Sequence, residues 1–230
     1  MKIDFIPASK EAEMYVPRPL PAKNYIPDWY KDIKLSKDVR FGSGGAMFVD
    51  GMVKKCVPFL EGFSHGYIQE TWTDIYVKKS EYGIEYIYSH EPTIMTVRDK
   101  KSINVSGAFY QIECAWQLQW YPKMPKGWSM IFTSPFNRLD LPFRSLTGVI
   151  DSDNFYDSKQ GNYPFFIEKD FEGLIPAGTP MFQMIPIKRE NWKSDTVKFD
   201  LESHLKNTYK LTKYLTGGYK KLFWERKSFE

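Results

Sequence analysis

The chain has 230 residues, a formal net charge of +4, and 42% hydrophobic and 26% charged side chains. That profile fits one substantial globular domain or a domain with appendages. The basic residues are scattered apart from the stretch Lys206 to Lys227, which disfavours a nucleic-acid partner, and no apolar run is long enough to cross a bilayer, which excludes a spanning helix.

Aromatic residues make up 17% of the chain, and such side chains suit pleated, half-buried surfaces, so strands are expected to outnumber helices. Cys56 and Cys114 lie far apart and in no metal-ligand spacing, and the opening "MKIDFIPASK" has no secretory pattern. A disulfide framework is therefore not expected, and synthesis in the cytoplasm is.

In chain order, the first forty residues carry Pro7, Pro17, Pro19, Pro21 and Pro27. Each fixes φ and removes a backbone donor, so residues 1–40 read as an extended arm over the surface of the body. Within it, "IPDWYKDIK" reads as a short helix begun by Pro27, with Asp28 at its positive end and Trp29 and Tyr30 as anchors. The glycine-rich "RFGSGGAMFVDGM" (Arg40 to Met52) lacks the Lys-Ser or Lys-Thr pair of a phosphate-binding loop and reads as a flexible turn.

From Cys56 to Tyr121 the pattern is of strands. "YIQETWTDIYVKK" alternates apolar and polar residues, and "GIEYIYSHEPTIMTVR" reads as two strands parted near Pro92. In "AFYQIECAWQLQWYP" the residues Ile112, Cys114, Trp116, Leu118 and Trp120 oppose Gln111, Glu113, Gln117 and Gln119. A turn at Pro125 to Gly127, a strand over Trp128 to Thr133 and a strand in "YPFFIEK" follow. Past Trp192 the period changes to 3.6: Leu201, Leu205, Thr208, Leu211 and Leu215 share one helical face, Lys206, Lys210 and Lys213 the other, and Gly217-Gly218 ends the helix. The closing "YKKLFWERKSFE" joins charge with Leu222, Phe223 and Trp224 and is expected to dock on the body.

Two stretches carry candidate chemistry. "LTGVIDSDNFY" (Leu146 to Tyr156) sets Asp151 after an apolar run, and "GLIPAGTPMFQMIPIK" (Gly173 to Lys188) sets Gly178 before Gln183. From the residues alone, Asp151 holds a turn, and Gly178 at positive φ feeds a strand in which Met181, Gln183 and Ile185 alternate with Phe182, Met184 and Pro186. As a pair they resemble the trimeric dUTPase and dCTP-deaminase superfamily. Gly148 to Asp153 match its G-[VLI]-I-D-S-D, and Gly178, Gln183, Met184 and Ile185 match much of its P-x-G-x-x-x-x-Q-[ML]-I.

The resemblance implies a nucleotide pyrophosphatase in which Asp151 is the general base for the attacking water and Mg²⁺ bridges the phosphates. It also implies substrate contacts from Arg144, Ser145, Asn154 and Tyr156, with Gln183 in support. The chain departs from the pattern at three places. Asn154 replaces the tyrosine under the sugar, Arg144 and Ser145 of "PFRSLTG" stand only six or seven residues before Asp151, and the glycine-rich C-terminal arm is missing. Positioning supplies much of the rate in such an enzyme, so these gaps point to a retained fold without the catalysis.

Other chemistries have less behind them. His65, His90 and His204 form no ligand pair. Two of Glu61, Glu70, Glu85 and Glu113 would have to converge for glycosidase chemistry, and exposed Trp and Tyr would serve a carbohydrate-binding sandwich as stacking platforms. As a whole, through "IPDWYKDI", "ECAWQLQWYPKMPKGWSMIFTSPFNR" and "GVIDSDNFY", the chain also looks like proteins of marine tailed phages whose motifs have no assigned chemistry.

The expectation is thus an all-β sandwich, jelly-roll-like and dUTPase-like, with an extended arm over 1–40, a core over 41–192 and a C-terminal helix and tail over 193–230. Its expected role is a non-catalytic binding or assembly protein, self-associating and without a cofactor, made in the host cytoplasm and virion-associated. The alternative is a divergent pyrophosphatase using Asp151 and Mg²⁺.

Overall fold

Sixteen strands and six α-helices follow one another in the computed structural model, which describes residues 1–35, 39–41, 43, 47–49, 52–81, 83–98, 103–156, 161–214 and 217–230. The N-terminal part holds β1 (Asp4–Pro7), α1 (Lys10–Tyr15), β2 (Leu20–Pro21), a 3-10 turn (Ala22–Tyr25), α2 (Asp28–Lys31), β3 (Val39–Phe41), β4 (Met47–Val49), α3 (Met52–Lys55) and α4 (Val57–Ser64). The middle holds β5 (Tyr67–Glu70), β6 (Ile75–Ser80), β7 (Gly83–Tyr88), β8 (Met95–Arg98), β9 (Glu113–Gln117), β10 (Trp120–Lys123) and β11 (Trp128–Thr133). Last come β12 (Phe143–Ser145), β13 (Gly148–Ile150), β14 (Asn162–Ile167), β15 (Gly173–Ile175), β16 (Pro180–Lys188), α5 (Leu201–Thr212) and α6 (Gly218–Leu222).

Two antiparallel sheets dominate, one in the order β13-β11-β16-β5-β2 and one in the order β12-β14-β9-β8. From β11 to β14 the chain changes sheet at every step, so successive strands oppose each other across the core instead of pairing. Aromatic side chains fill the space between the sheets. Tyr163 of β14 meets Phe132 of β11 at 5.5 Å and Phe182 of β16 at 5.3 Å between ring centroids. The Trp116 indole N–H donates to Ser145 Oγ at 3.0 Å, and that hydroxyl donates to the Met181 carbonyl at 2.7 Å, joining the sheets by a buried polar thread. The molecule is a β-sandwich, and the smaller sheet β15-β6-β7 adds Ile75, Val77, Ile84 and Ile175 to the same core.

Strand β16 lies in the middle of its sheet, and Pro180 through Ile185 are all buried, so both of its faces need side chains that tolerate burial. Gly178 ahead of it has φ +85°, the left-handed conformation expected of the turn that feeds this strand.

The first 35 residues are tied to the body by strand pairing. Strand β1 pairs with β10 and β2 with β5, while Ser9 caps α1 by accepting from the Ala12 N–H at 3.1 Å. The helix expected at Pro27 forms over Asp28–Lys31. Its anchor is the buried Tyr30, set among Phe59 and Phe63, while Trp29 is 43% exposed. Val39–Phe41 and Met47–Val49 pair as antiparallel strands, and most of the glycine-rich turn between them lies outside the described residues.

Three sequence expectations are corrected. The segment from Val57 to Ser64 is helical, because Pro58 suits a first turn and Phe59 and Phe63, four apart, form one face against Tyr30. The long alternation from Tyr67 to Lys79 breaks at Thr71 to Asp74 into strands of two different sheets; there the buried Thr71 hydroxyl donates to the Pro176 carbonyl at 2.8 Å and fixes the bend. Glu113, expected on a polar face, is fully buried on β9 and ion-paired to Arg98 of β8, the residue in register with it.

Helix α5 forms as expected, capped by the Asp200 carboxylate on the Ser203 N–H at 3.1 Å, but it stops at Thr212, short of Gly217-Gly218, and Leu215 lies outside the described residues. It does not lie on the sandwich. Every residue from 188 to 213 is exposed, including Trp192 at 85%, Phe199 at 74% and Leu205 at 58%. The chain then returns and docks on α4 and β5. Glu61 Oε1 accepts from the Trp224 indole at 2.8 Å and pairs with Lys227 Nζ at 2.8 Å, and the Phe229 ring packs on His65 at 4.7 Å. Among the described residues no helix is long and apolar enough to cross a membrane.

Candidate functional site

Three neighbouring strands build the surroundings of Asp151. Strand β11 pairs with β13 on one side and β16 on the other, placing Met130 opposite both Ile150 and Pro186, and Ser129 opposite Ile187. Asp151 follows the end of β13 and Arg189 follows the end of β16, so both arrive beside Ser129. The chain then turns back, with the Asn154 and Phe155 N–H groups donating to the Asp151 carbonyl, each at 3.0 Å.

Both carboxylates of this turn are engaged by neighbouring groups. Asp151 Oδ1 accepts from Ser129 Oγ at 2.7 Å and lies 3.2 Å from Arg189 Nη1. The Asp153 side chain is only 3% exposed. Its Oδ2 accepts from the Gly127 N–H at 2.8 Å and from Arg189 Nη2, and its Oδ1 accepts from Arg189 Nη1 at 2.9 Å. This is a two-pronged guanidinium–carboxylate clamp, the strongest geometry such a pair has. Hydrogen bonding to Arg189, then to the Gly127 N–H, holds the Asp153 carboxyl down to about 2, and Asp153 in turn raises Arg189.

A general base needs a free lone pair and a pKa near working pH. Asp153 has neither. Asp151 is 61% exposed at its side chain, yet one oxygen already serves a hydroxyl and a guanidinium. The pair does not fit Mg²⁺ either, because Arg189 already supplies the positive charge between them. Among the described residues no three His, Cys, Asp or Glu side chains are grouped to hold a metal ion.

The remaining candidates do not gather here. Gln183 faces Thr133, four residues along β11 from Ser129, or about 13 Å at the usual rise per residue. Its amide is 1% exposed and fully engaged: Oε1 accepts from the Phe136 N–H at 2.8 Å, and Nε2 donates to the Gly62 carbonyl at 3.0 Å and to that of His65. Arg144, on the other sheet, donates to the carbonyls of Leu141 and Phe143, both at 2.7 Å, and pairs with Glu168 at 3.3 Å. Ser145 belongs to the buried thread described above. Only Asn154, exposed on the turn, and Tyr156, whose ring lies 4.6 Å beneath Lys123 Nζ, stay close to Asp151.

Gly178 borders a separate groove of about 500 Å³ with Trp29, Arg138 and Asp140, and Asp151 does not line it. Within one chain the two resembling motifs therefore open onto different surfaces. Ser129 and Arg189, which complete the clamp, carry no motif. Their signal is the antiparallel register of Trp128–Thr133 against Gln183–Lys188, which sets Arg189 just past the end of the ladder.

A second surface stands on the outer face of β15-β6-β7. Leu174, Tyr76 and Ile87 are cross-strand neighbours in one row, exposed by 53%, 51% and 71%, with Lys78 opposite Glu85 in the next row. No protein-family model matches the chain, and no curated protein matches it either.

Proposed function

We propose that the protein is a non-catalytic β-sandwich that assembles with copies of itself through the segment from Trp192 to Leu211, in keeping with the virion-associated role implied by its likeness to phage proteins. The observation that carries this is the unbroken exposure of residues 188–213 with Trp192, Val197, Phe199, Leu201, Leu205 and Tyr209 along it. Burying such side chains yields about 1.5–3 kcal/mol for each of the larger ones. The segment leaves the body after β16, and the chain meets the body again at the Glu61 latch, so the segment projects between two points of attachment. The row Leu174–Tyr76–Ile87 offers apolar area, with Lys78 and Glu85 of the next row beside it as partners for charged side chains of both signs. A second copy supplies that row, and the contact repeated between copies builds the oligomer.

The dUTPase-like, jelly-roll reading of the fold is kept as part of the same proposal. It is supported by the two-sheet antiparallel architecture and by the place of Asp151 at a bend after an apolar strand. The clamp on Asp151 and Asp153 supports a structural use of that bend.

Light scattering over a concentration series tests the assembly. The wild type is expected as an oligomer, and Leu205→Glu with Tyr209→Glu as a monomer with an unchanged far-UV circular dichroism spectrum, since both side chains are exposed in the single chain. A wild type that stays monomeric throughout, or an oligomer indifferent to both substitutions, overturns the proposal.

A further inference from the structure

A cleft of about 460 Å³ opens where the end of α1 meets the turn after β7, lined by Tyr15, Trp72, Ser89, His90 and Glu91. Its volume falls in the range of small-molecule sites. The walls are fixed before any ligand arrives. Trp72 packs on the core, and its indole N–H donates to the Pro92 carbonyl at 3.0 Å. Tyr15 closes α1, whose next carbonyl, that of Val16, accepts from the Trp120 indole at 3.1 Å. The Tyr15 residue stands 61% exposed on this anchored backbone. Ser89 Oγ lies 2.7 Å from His90 Nδ1 and 3.1 Å from Thr73 Oγ1, a chain of hydroxyl, hydroxyl and imidazole along one side. None of these residues belongs to the Asp151 clamp or to the projecting segment.

We propose that this cleft binds a neutral saccharide. A sugar ring presents an apolar C–H face to a flat aromatic ring and a rim of hydroxyls that both donate and accept. The cleft matches both halves. Trp72 and Tyr15 supply the rings, Ser89 and His90 supply groups that act as donor or acceptor by turn, and Glu91 supplies an acceptor. Among the described residues the lining holds no Lys or Arg, the partners that a phosphorylated or carboxylated ligand requires. A quaternary ammonium would suit the aromatic rings and Glu91. It has no N–H or O–H, however, and makes no hydrogen bond to the Ser89–His90 side, which a sugar hydroxyl does.

The test uses the full chain on an array of neutral mono- and oligosaccharides, with titration calorimetry on each hit and tetramethylammonium as the competing probe. A neutral saccharide is expected to bind at millimolar concentration or tighter. Tyr15→Ala and His90→Ala are each expected to weaken it about tenfold or more, with circular dichroism and melting unchanged because both residues are exposed. Three results overturn the proposal: no neutral saccharide binds, binding ignores both substitutions, or tetramethylammonium binds and the sugars do not.

Discussion

Replacing Gln183 by methionine separates a structural from a catalytic reading of the second motif. The two side chains are close in volume, so the change removes hydrogen bonds without opening a large cavity. Three backbone groups lose their partner: the Phe136 N–H, the Gly62 carbonyl and the His65 carbonyl. Gln183 is 1% exposed and water does not readily replace it. A buried polar group left unpaired costs about 1–3 kcal/mol, so at the lower end of that range for three groups the expected loss is about 3 kcal/mol. For a domain of this size that lowers the melting temperature by roughly 6–12 °C. Urea unfolding at 25 °C measures the free energy, and a differential scan the midpoint. If Gln183→Met stayed within about 0.5 kcal/mol of the wild type, the claim that this amide ties β16 to α4 and the loop at Phe136 would be refuted.

The clamp makes a prediction about acid. The Asp153 carboxyl is held at about 2 against an ordinary 3.8, so folding favours its charged form. The stability it contributes is therefore present above about pH 4 and disappears as pH falls through about 2. Arg189→Met removes the main cause, and its unfolding midpoint should vary less than the wild type's between those limits; equal slopes would contradict the assignment. With dUTP or dCTP and Mg²⁺, the protein is expected to release no pyrophosphate, and release abolished by Asp151→Asn would restore the enzymatic alternative.

How much of the site was legible in the sequence depends on which residue is considered. The turn at Asp151 and the positive φ at Gly178 could be read locally, because short polar side chains and glycine act within three or four residues. The helix Val57–Ser64 is not legible locally, because aromatic residues at positions 59 and 63 satisfy a strand and a helix equally until Tyr30 arrives to receive them. Arg189 could not be assigned at all, since a basic residue after a strand has no meaning until the register of β11 against β16 brings it beside two carboxylates. The same holds for the cleft, whose walls at Tyr15, Trp72 and His90 come from three segments.

By itself, then, the order of residues determined the strand-rich class, the turns and the short helix at Pro27, because these follow from side-chain shape and from contacts a few residues apart. Whether a carboxylate is free or clamped, whether the amphipathic helix is covered or bare, and which aromatic rings share a cleft were decided only by the tertiary structure. Those depend on contacts between segments tens of residues apart, whose distances are set by sheet order and register.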